Sequence, residues 1–192
     1  VHDDDLFARA LIEIEALEAA GEPYFLSLLT LDTHHPEGFP SSRCKLAPGE
    51  ATMRRALRCS DQQITDFIRR LRAREGGEDT LIAVFSDHLA MRNSLWESLR
   101  LKGGERRLLF MLLNAKQGAG QDGASVNTPL THYEIGPTLL EAAGAASEVR
   151  IGFGESAFAV AVASDAGRDL RNLSIPRYAE PAGNLNLADS HL

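Results

Sequence analysis

Three apolar runs, Tyr24–Leu31, Thr80–Phe85 and Leu108–Leu113, place the strongest constraint on this chain. Each has the length of a strand, and all fall well short of the roughly 20 residues that a membrane-spanning helix requires. A strand that is apolar at nearly every position, instead of every second one, is buried on both faces. The stretches between them carry helical patterns. Leu6, Ala10, Leu11, Ile14 and Leu17 recur at helical spacing after the acidic Asp3–Asp5, and Gly21 and Pro23 close that helix. Met53, Leu57, Ile64, Phe67, Ile68 and Leu71 form a stripe over about Ala51–Arg74, with Arg69, Arg70, Arg72 and Arg74 weighting its carboxyl end as a solvated face. The strand 80–86 follows Gly76-Gly77, and 107–114 reads as another buried strand. Gly118–Asn127 is a glycine-rich loop, Thr128–Gly144 a helix capped by Thr128-Pro129, and Phe158–Ala163 one more short strand. This order predicts an α/β fold: a mostly parallel sheet flanked by helices on both faces. Residues 1–165 read as one domain portion and 166–192 as an irregular tail.

A formal net charge of −7 with no basic cluster argues against a nucleic-acid surface. The chain lacks an initiator Met and opens on Val-His-Asp-Asp-Asp, so it reads as an excised piece of a longer protein. Missing targeting signals are then uninformative.

In parallel sheets, ligands bind beyond the carboxyl ends of the strands, and two polar clusters sit at such ends: Asp32-Thr-His-His35 and Asp87-His88. An Asp-His pair offers a carboxylate oxygen and an imidazole nitrogen, ligands suited to a divalent metal. By itself the pair also fits an Asp capping a turn before an exposed His. Cys44 and Cys59 fit either two separate buried thiols or a disulfide clipping a loop to a helix, the latter suiting an oxidising compartment. Asp32 either orients His34 or caps its loop. His132 reads as a helix-start residue and Trp96 as core or rim. His2 and His191, near the ends, support no role.

Longer stretches resemble a known family. Val84-Phe-Ser-Asp-His is similar to the metal-binding strand end of the sulfatases and the wider alkaline phosphatase superfamily. Phe85-Ser-Asp-His-Leu-Ala-Met-Arg-Asn93 and Leu29-Thr-Leu-Asp-Thr-His-His-Pro36 resemble the bacterial membrane-bound phosphoglycerol transferases that decorate periplasmic glucans, relatives of the lipoteichoic acid synthases. The opening Val-His-Asp-Asp-Asp-Leu-Phe and His132-Tyr-Glu-Ile-Gly-Pro-Thr-Leu-Leu140 extend the resemblance from Val1 to about Gly144.

The resemblance implies a partial alkaline phosphatase/sulfatase-like fold and the carboxyl-terminal portion of a catalytic domain. It implies Asp87 and His88 as ligands of a divalent metal, Mn²⁺ or Mg²⁺ with Zn²⁺ as an alternative. His34 matches a catalytic histidine beside the substrate phosphate, with His35 as fallback, and Arg92 and Asp32 are candidate substrate-binding residues. The implied substrates are phosphatidylglycerol and a glucan acceptor. The implied location is the periplasmic domain of an inner-membrane protein that reaches the membrane only through upstream helices. The family's threonine nucleophile and glutamate ligand lie before the matched region. A sulfatase or phosphatase of the same superfamily, or a non-catalytic glycan-binding module, are the alternative readings.

Overall fold

In the computed structural model, the residues described are 2–45, 49–100, 108–115, 130–145 and 150–158. They divide into two units, Val1–Met111 and Leu112–Leu192. The first unit begins with helix α1, Asp3–Ala20. The Asp5 carboxylate accepts from the His2 backbone N–H (3.4 Å), and Asp5 N–H donates to His2 O (3.0 Å), which closes the first turn. Gly21 ends the helix in the left-handed conformation (φ 72°), donating to Glu18 O at 3.1 Å. Phe7, Ala10 and Ile14 form the buried face, and the Phe7 ring lies 4.8 Å from that of Phe67 on α2, Thr52–Arg72. Met53, Ala56, Cys59, Ser60 and Leu71 are the buried positions of α2. Leu57, part of the expected stripe, lies exposed, because Ala56 and Cys59 occupy the centre of the buried face and Leu57 falls off its edge. Arg74 joins the far ends of the two helices through a forked contact to Glu18 (3.0 and 3.2 Å).

Strand β1, Ile82–Phe85, pairs with β2, Phe110–Leu113, as a two-stranded sheet. Ser86 N–H donates to Leu109 O at 3.0 Å, and the rings of Phe85 and Phe110 meet edge to face. Helix α3, Trp96–Arg100, follows a turn in which Asn93 Oδ1 accepts from Leu95 N–H (2.9 Å).

In the second unit, α4 spans His132–Ala142. Thr131 is its cap: Tyr133 N–H donates to Thr131 Oγ1, and Glu134 reaches back to Thr131 N–H (2.6 Å). The cap expected at Thr128-Pro129 lies outside the described residues. Pro137 sits inside α4 and has no N–H for the Tyr133 carbonyl. Gly154 lies against that carbonyl, and a Cβ at 154 would collide with it. Gly154–Glu155 (β4) pairs antiparallel with Arg150–Ile151 (β3), and buried Thr138 accepts from Ala157 N–H (2.8 Å).

The wide, mostly parallel sheet expected from the sequence is not assembled by the described residues, whose strands form two two-stranded sheets, one of them antiparallel. Tyr24–Leu31 is extended but pairs with no strand among the described residues, and Phe25 is 85% exposed. The physical reason is that a strand is a property of a pair: without a neighbour, an apolar run has neither ladder nor cover. Ala157 and Phe158 turn helically instead of opening a strand, and 159–163, like the tail 166–192, lie outside the described residues.

After that run the chain folds into a tight turn. His34 N–H donates to Leu31 O (2.9 Å), Gly38 N–H to His34 O (3.0 Å) and Phe39 N–H to Asp32 O (2.6 Å). Gly38 has φ 73° and presses against α2, where a Cβ would stand 2.6 Å from Ala56 Cβ and 3.2 Å from Asp32 O. Gly38→Ala combines left-handed strain with overpacking, so the expected loss is roughly 2–4 kcal/mol in denaturant unfolding. A loss below about 0.5 kcal/mol, the range of ordinary surface substitutions, would show that the turn does not need this contact.

Candidate metal and phosphate site

Asp87 and His88 leave the carboxyl end of β1, where the side chains no longer alternate across a sheet. His88 N–H donates to Asp87 Oδ1 at 2.9 Å. His88 Nδ1 lies 2.9 Å from Leu89 O. A carbonyl oxygen only accepts, so Nδ1 carries the hydrogen and the neutral ring keeps its lone pair on Nε2. That Nε2 stands 3.5 Å from Asp87 Oδ2, and both side chains are exposed. Turning one imidazole nitrogen to a carbonyl and offering the other is how metal-ligating histidines are held.

The two donors therefore fit a divalent cation as part of a site. Among the described residues, no group of three or more His, Cys, Asp or Glu side chains is placed to hold a metal ion.

His34 has the same arrangement. Its Nδ1 is 2.8 Å from His35 O, which leaves Nε2 outward, and the two rings stack at 4.5 Å. His34 is exposed and His35 half-buried. Ser94 N–H donates to Pro36 O at 3.2 Å, tying the segment after Asp87-His88 to the His34 turn. This bond ties the two loops together at Ser94 and Pro36. Arg92 lies exposed on the connecting segment.

Asp32 is placed differently from the other candidates. It is 3% exposed, and its carboxylate faces inward to His2 Nδ1 (3.0 Å) and Asp3 N–H (3.2 Å), not to the His34 ring. Asp3, equally buried, accepts from Leu31 N–H (2.8 Å) and Asp32 N–H (3.1 Å). Burial pushes the Asp3 carboxyl above its usual range; the Leu31 and Asp32 N–H bonds oppose this, while the nearby Asp32 charge adds to it. Asp5 is held below its usual range by the His2 N–H and by Arg43. Ser41 and Arg43 both reach Asp4, at 2.7 and 3.2 Å, and Cys44 is joined to buried Cys59 by a disulfide with Cα atoms 5.6 Å apart. The sequence reading missed the roles of His2 and Asp3, because their partners lie about thirty positions away and no local pattern marks them.

The sulfatase family profile matches residues 1–145. The chain belongs to the sulfatase family. The span coincides with the stretch, Val1 to about Gly144, over which the motifs resemble that family. Within the sulfatases, the chain is 34% identical over 200 residues to phosphoglycerol transferase I of Xanthomonas euvesicatoria pv. vesicatoria (strain 85-10), covering 96% of this chain and 27% of that protein. It is 34% identical over 200 residues, with the same coverage, to phosphoglycerol transferase I of Xanthomonas campestris pv. campestris (strain B100). It is 33% identical over 158 residues to phosphoglycerol transferase I of Salmonella newport (strain SL254), covering 79% of this chain and 20% of that protein. The chain therefore spans about a quarter of the length of the curated relatives it matches. No solved structure gives a significant match. Sulfatase membership implies an alkaline phosphatase-like α/β fold. No helix among the described residues is long and apolar enough to cross a membrane.

Proposed function

We propose that this chain forms part of a metal-dependent phosphoglycerol transferase acting in the periplasm, within a protein anchored in the inner membrane by helices outside this chain. Asp87 and His88 would hold a divalent cation, Mn²⁺ or Mg²⁺ with Zn²⁺ also suited, together with a glutamate from outside the chain. When bound, the cation would neutralise the phosphate and favour ionisation of a threonine nucleophile, also from outside the chain. His34 presents Nε2 to the departing oxygen. As imidazolium it gives that oxygen a proton while the threonine oxygen bonds to phosphorus, so the P–O bond to diacylglycerol breaks and diacylglycerol leaves neutral. The threonine ester then passes phosphoglycerol to a glucan hydroxyl, whose proton His34 takes back. His35 supports the His34 ring by stacking, and Arg92 is the candidate cation for the phosphoryl oxygens. Asp32, proposed from the sequence for substrate binding, acts by holding the turn.

The reading is carried by the Asp87 Oδ2–His88 Nε2 pair, converged at 3.5 Å with the ring already turned to donate its lone pair outward. In this picture Tyr24–Leu31 takes its place as a strand of the same parallel sheet. The test uses the whole protein and this chain side by side. The whole protein is expected to release diacylglycerol from phosphatidylglycerol and label glucan, whereas the 192-residue chain binds Mn²⁺ only weakly and turns nothing over. Sub-micromolar Mn²⁺ affinity by calorimetry, or phosphodiester cleavage by the chain alone, would overturn the partial-site reading.

A further inference from the structure

An acidic residue in the first turn of a helix ordinarily faces that helix's own free N–H groups. Asp3 does not. Both of its carboxylate oxygens go to consecutive backbone donors in another segment, Leu31 N–H and Asp32 N–H. The contact is reciprocal, because the Asp32 carboxylate accepts from Asp3 N–H and is closed on its other side by His2. Two carboxylates, each 3% exposed, are thus buried together at the amino end of α1. Burying like charges side by side is an inefficient way to stabilise a helix start. It is an effective way to fix two peptide planes, because each carboxylate has two acceptors at a set spacing.

Those peptide planes begin the His34 turn. Leu31, whose N–H is held by Asp3, offers its carbonyl to His34 N–H. Asp32, held likewise, offers its carbonyl to Phe39 N–H, which closes the far side of the turn. The turn in turn places His35 O against His34 Nδ1. Asp3 is thus linked to the His34 backbone by hydrogen bonds through Leu31, and the His34 ring is held to the next carbonyl of the same turn.

We propose that Asp3 is a positioning residue for His34: from the first turn of α1 it fixes residues 31–33, and so sets the tautomer and direction of the His34 imidazole. This rests on the reading of His34 as the group that protonates the departing oxygen.

The experiment compares Asp3→Asn and Asp3→Ala with Ile14→Ala, a buried change on the same helix that does not touch the turn. In the whole protein, kcat and KM for phosphatidylglycerol are measured. In the 192-residue chain, ¹⁵N spectra report the His34 tautomer, with the signal assigned by His34→Gln. Both Asp3 variants are expected to lower kcat about tenfold or more with little change in KM, since a small misplacement near the chemistry costs rate and not binding. Both should also move His34 from the Nδ1–H towards the Nε2–H form. Ile14→Ala should lower the melting temperature and do neither. Asp3→Asn keeps the side-chain shape and one acceptor, so it is read if Asp3→Ala does not fold. An unchanged His34 tautomer in the Asp3 variants, or an equal kcat loss in Ile14→Ala, overturns the proposal. If the unaltered protein shows no transfer, the functional reading falls, while the tautomer alone still decides whether Asp3 governs His34.

Discussion

Replacing Asp87 or His88 by alanine is expected to abolish phosphoglycerol transfer in the whole protein while leaving its fold intact. Both side chains are more than half exposed, and their contacts are to each other and to adjacent backbone. Substitutions of that kind change stability by less than about 0.5 kcal/mol. Their effect on chemistry should be far larger. Losing a cation that supplies ~4 kcal/mol of charge stabilisation corresponds to a rate loss of about 10³-fold. The check is transfer to glucan measured beside thermal unfolding for each variant. Near-normal transfer in either one would remove that residue from the metal site. A parallel loss of melting temperature would mean that the pair supports the strand end rather than the reaction.

The second large effect concerns the covalent tie between the His34 region and α2. The Cys44–Cys59 bridge encloses a sequence separation of 15 residues. A closed loop of that size is worth about 3 kcal/mol through the entropy it removes from the unfolded chain. Cys59 is fully buried on α2, and Cys44 follows the segment in which Ser41 and Arg43 grip the first turn of α1. Reduction, or the double change Cys44→Ser with Cys59→Ala, should therefore lower the unfolding free energy by about 3 kcal/mol. Exchange of the backbone amides from Ser41 to Cys44 should quicken at the same time. Denaturant unfolding with and without reductant measures the first, and amide exchange the second. Alkylation of the native chain without reductant should add no mass, and a mass shift there would contradict the bridge.

The two long helices were legible in the sequence almost to the residue. Apolar spacing and Gly21 place α1, and the stripe over 51–74 becomes Thr52–Arg72. Local physics suffices there, because a helix satisfies its own backbone and is bounded by its own caps. The 80–86 strand, found at Ile82–Phe85, was equally plain, and with it the place where Asp87-His88 leaves the sheet. Tyr24–Leu31 reads in sequence as a strand buried on both faces, whereas it is extended and largely exposed with no ladder among the described residues, since pairing depends on partners that composition does not reveal.

The site was legible as residue types and less so as roles. His34 and His88 could be singled out from their motifs, whereas the turning of each Nδ1 to a carbonyl is a matter of backbone geometry alone. Asp32 drew notice for its closeness in sequence to His34, and its carboxylate in fact serves His2 and Asp3. Contacts across thirty residues leave no periodic trace.

The run from Tyr24 to Leu31, exposed and without a partner strand among the described residues, also bears on how the chain behaves in solution. It contains no charge and no proline, and Phe25, Leu29 and Leu31 all stand out from the surface. Six or seven such residues are enough to seed cross-β stacking between copies when nothing covers them. The run would then set a solubility ceiling for the isolated chain, and a charged side chain at Leu29 would raise that ceiling without touching the histidine turn.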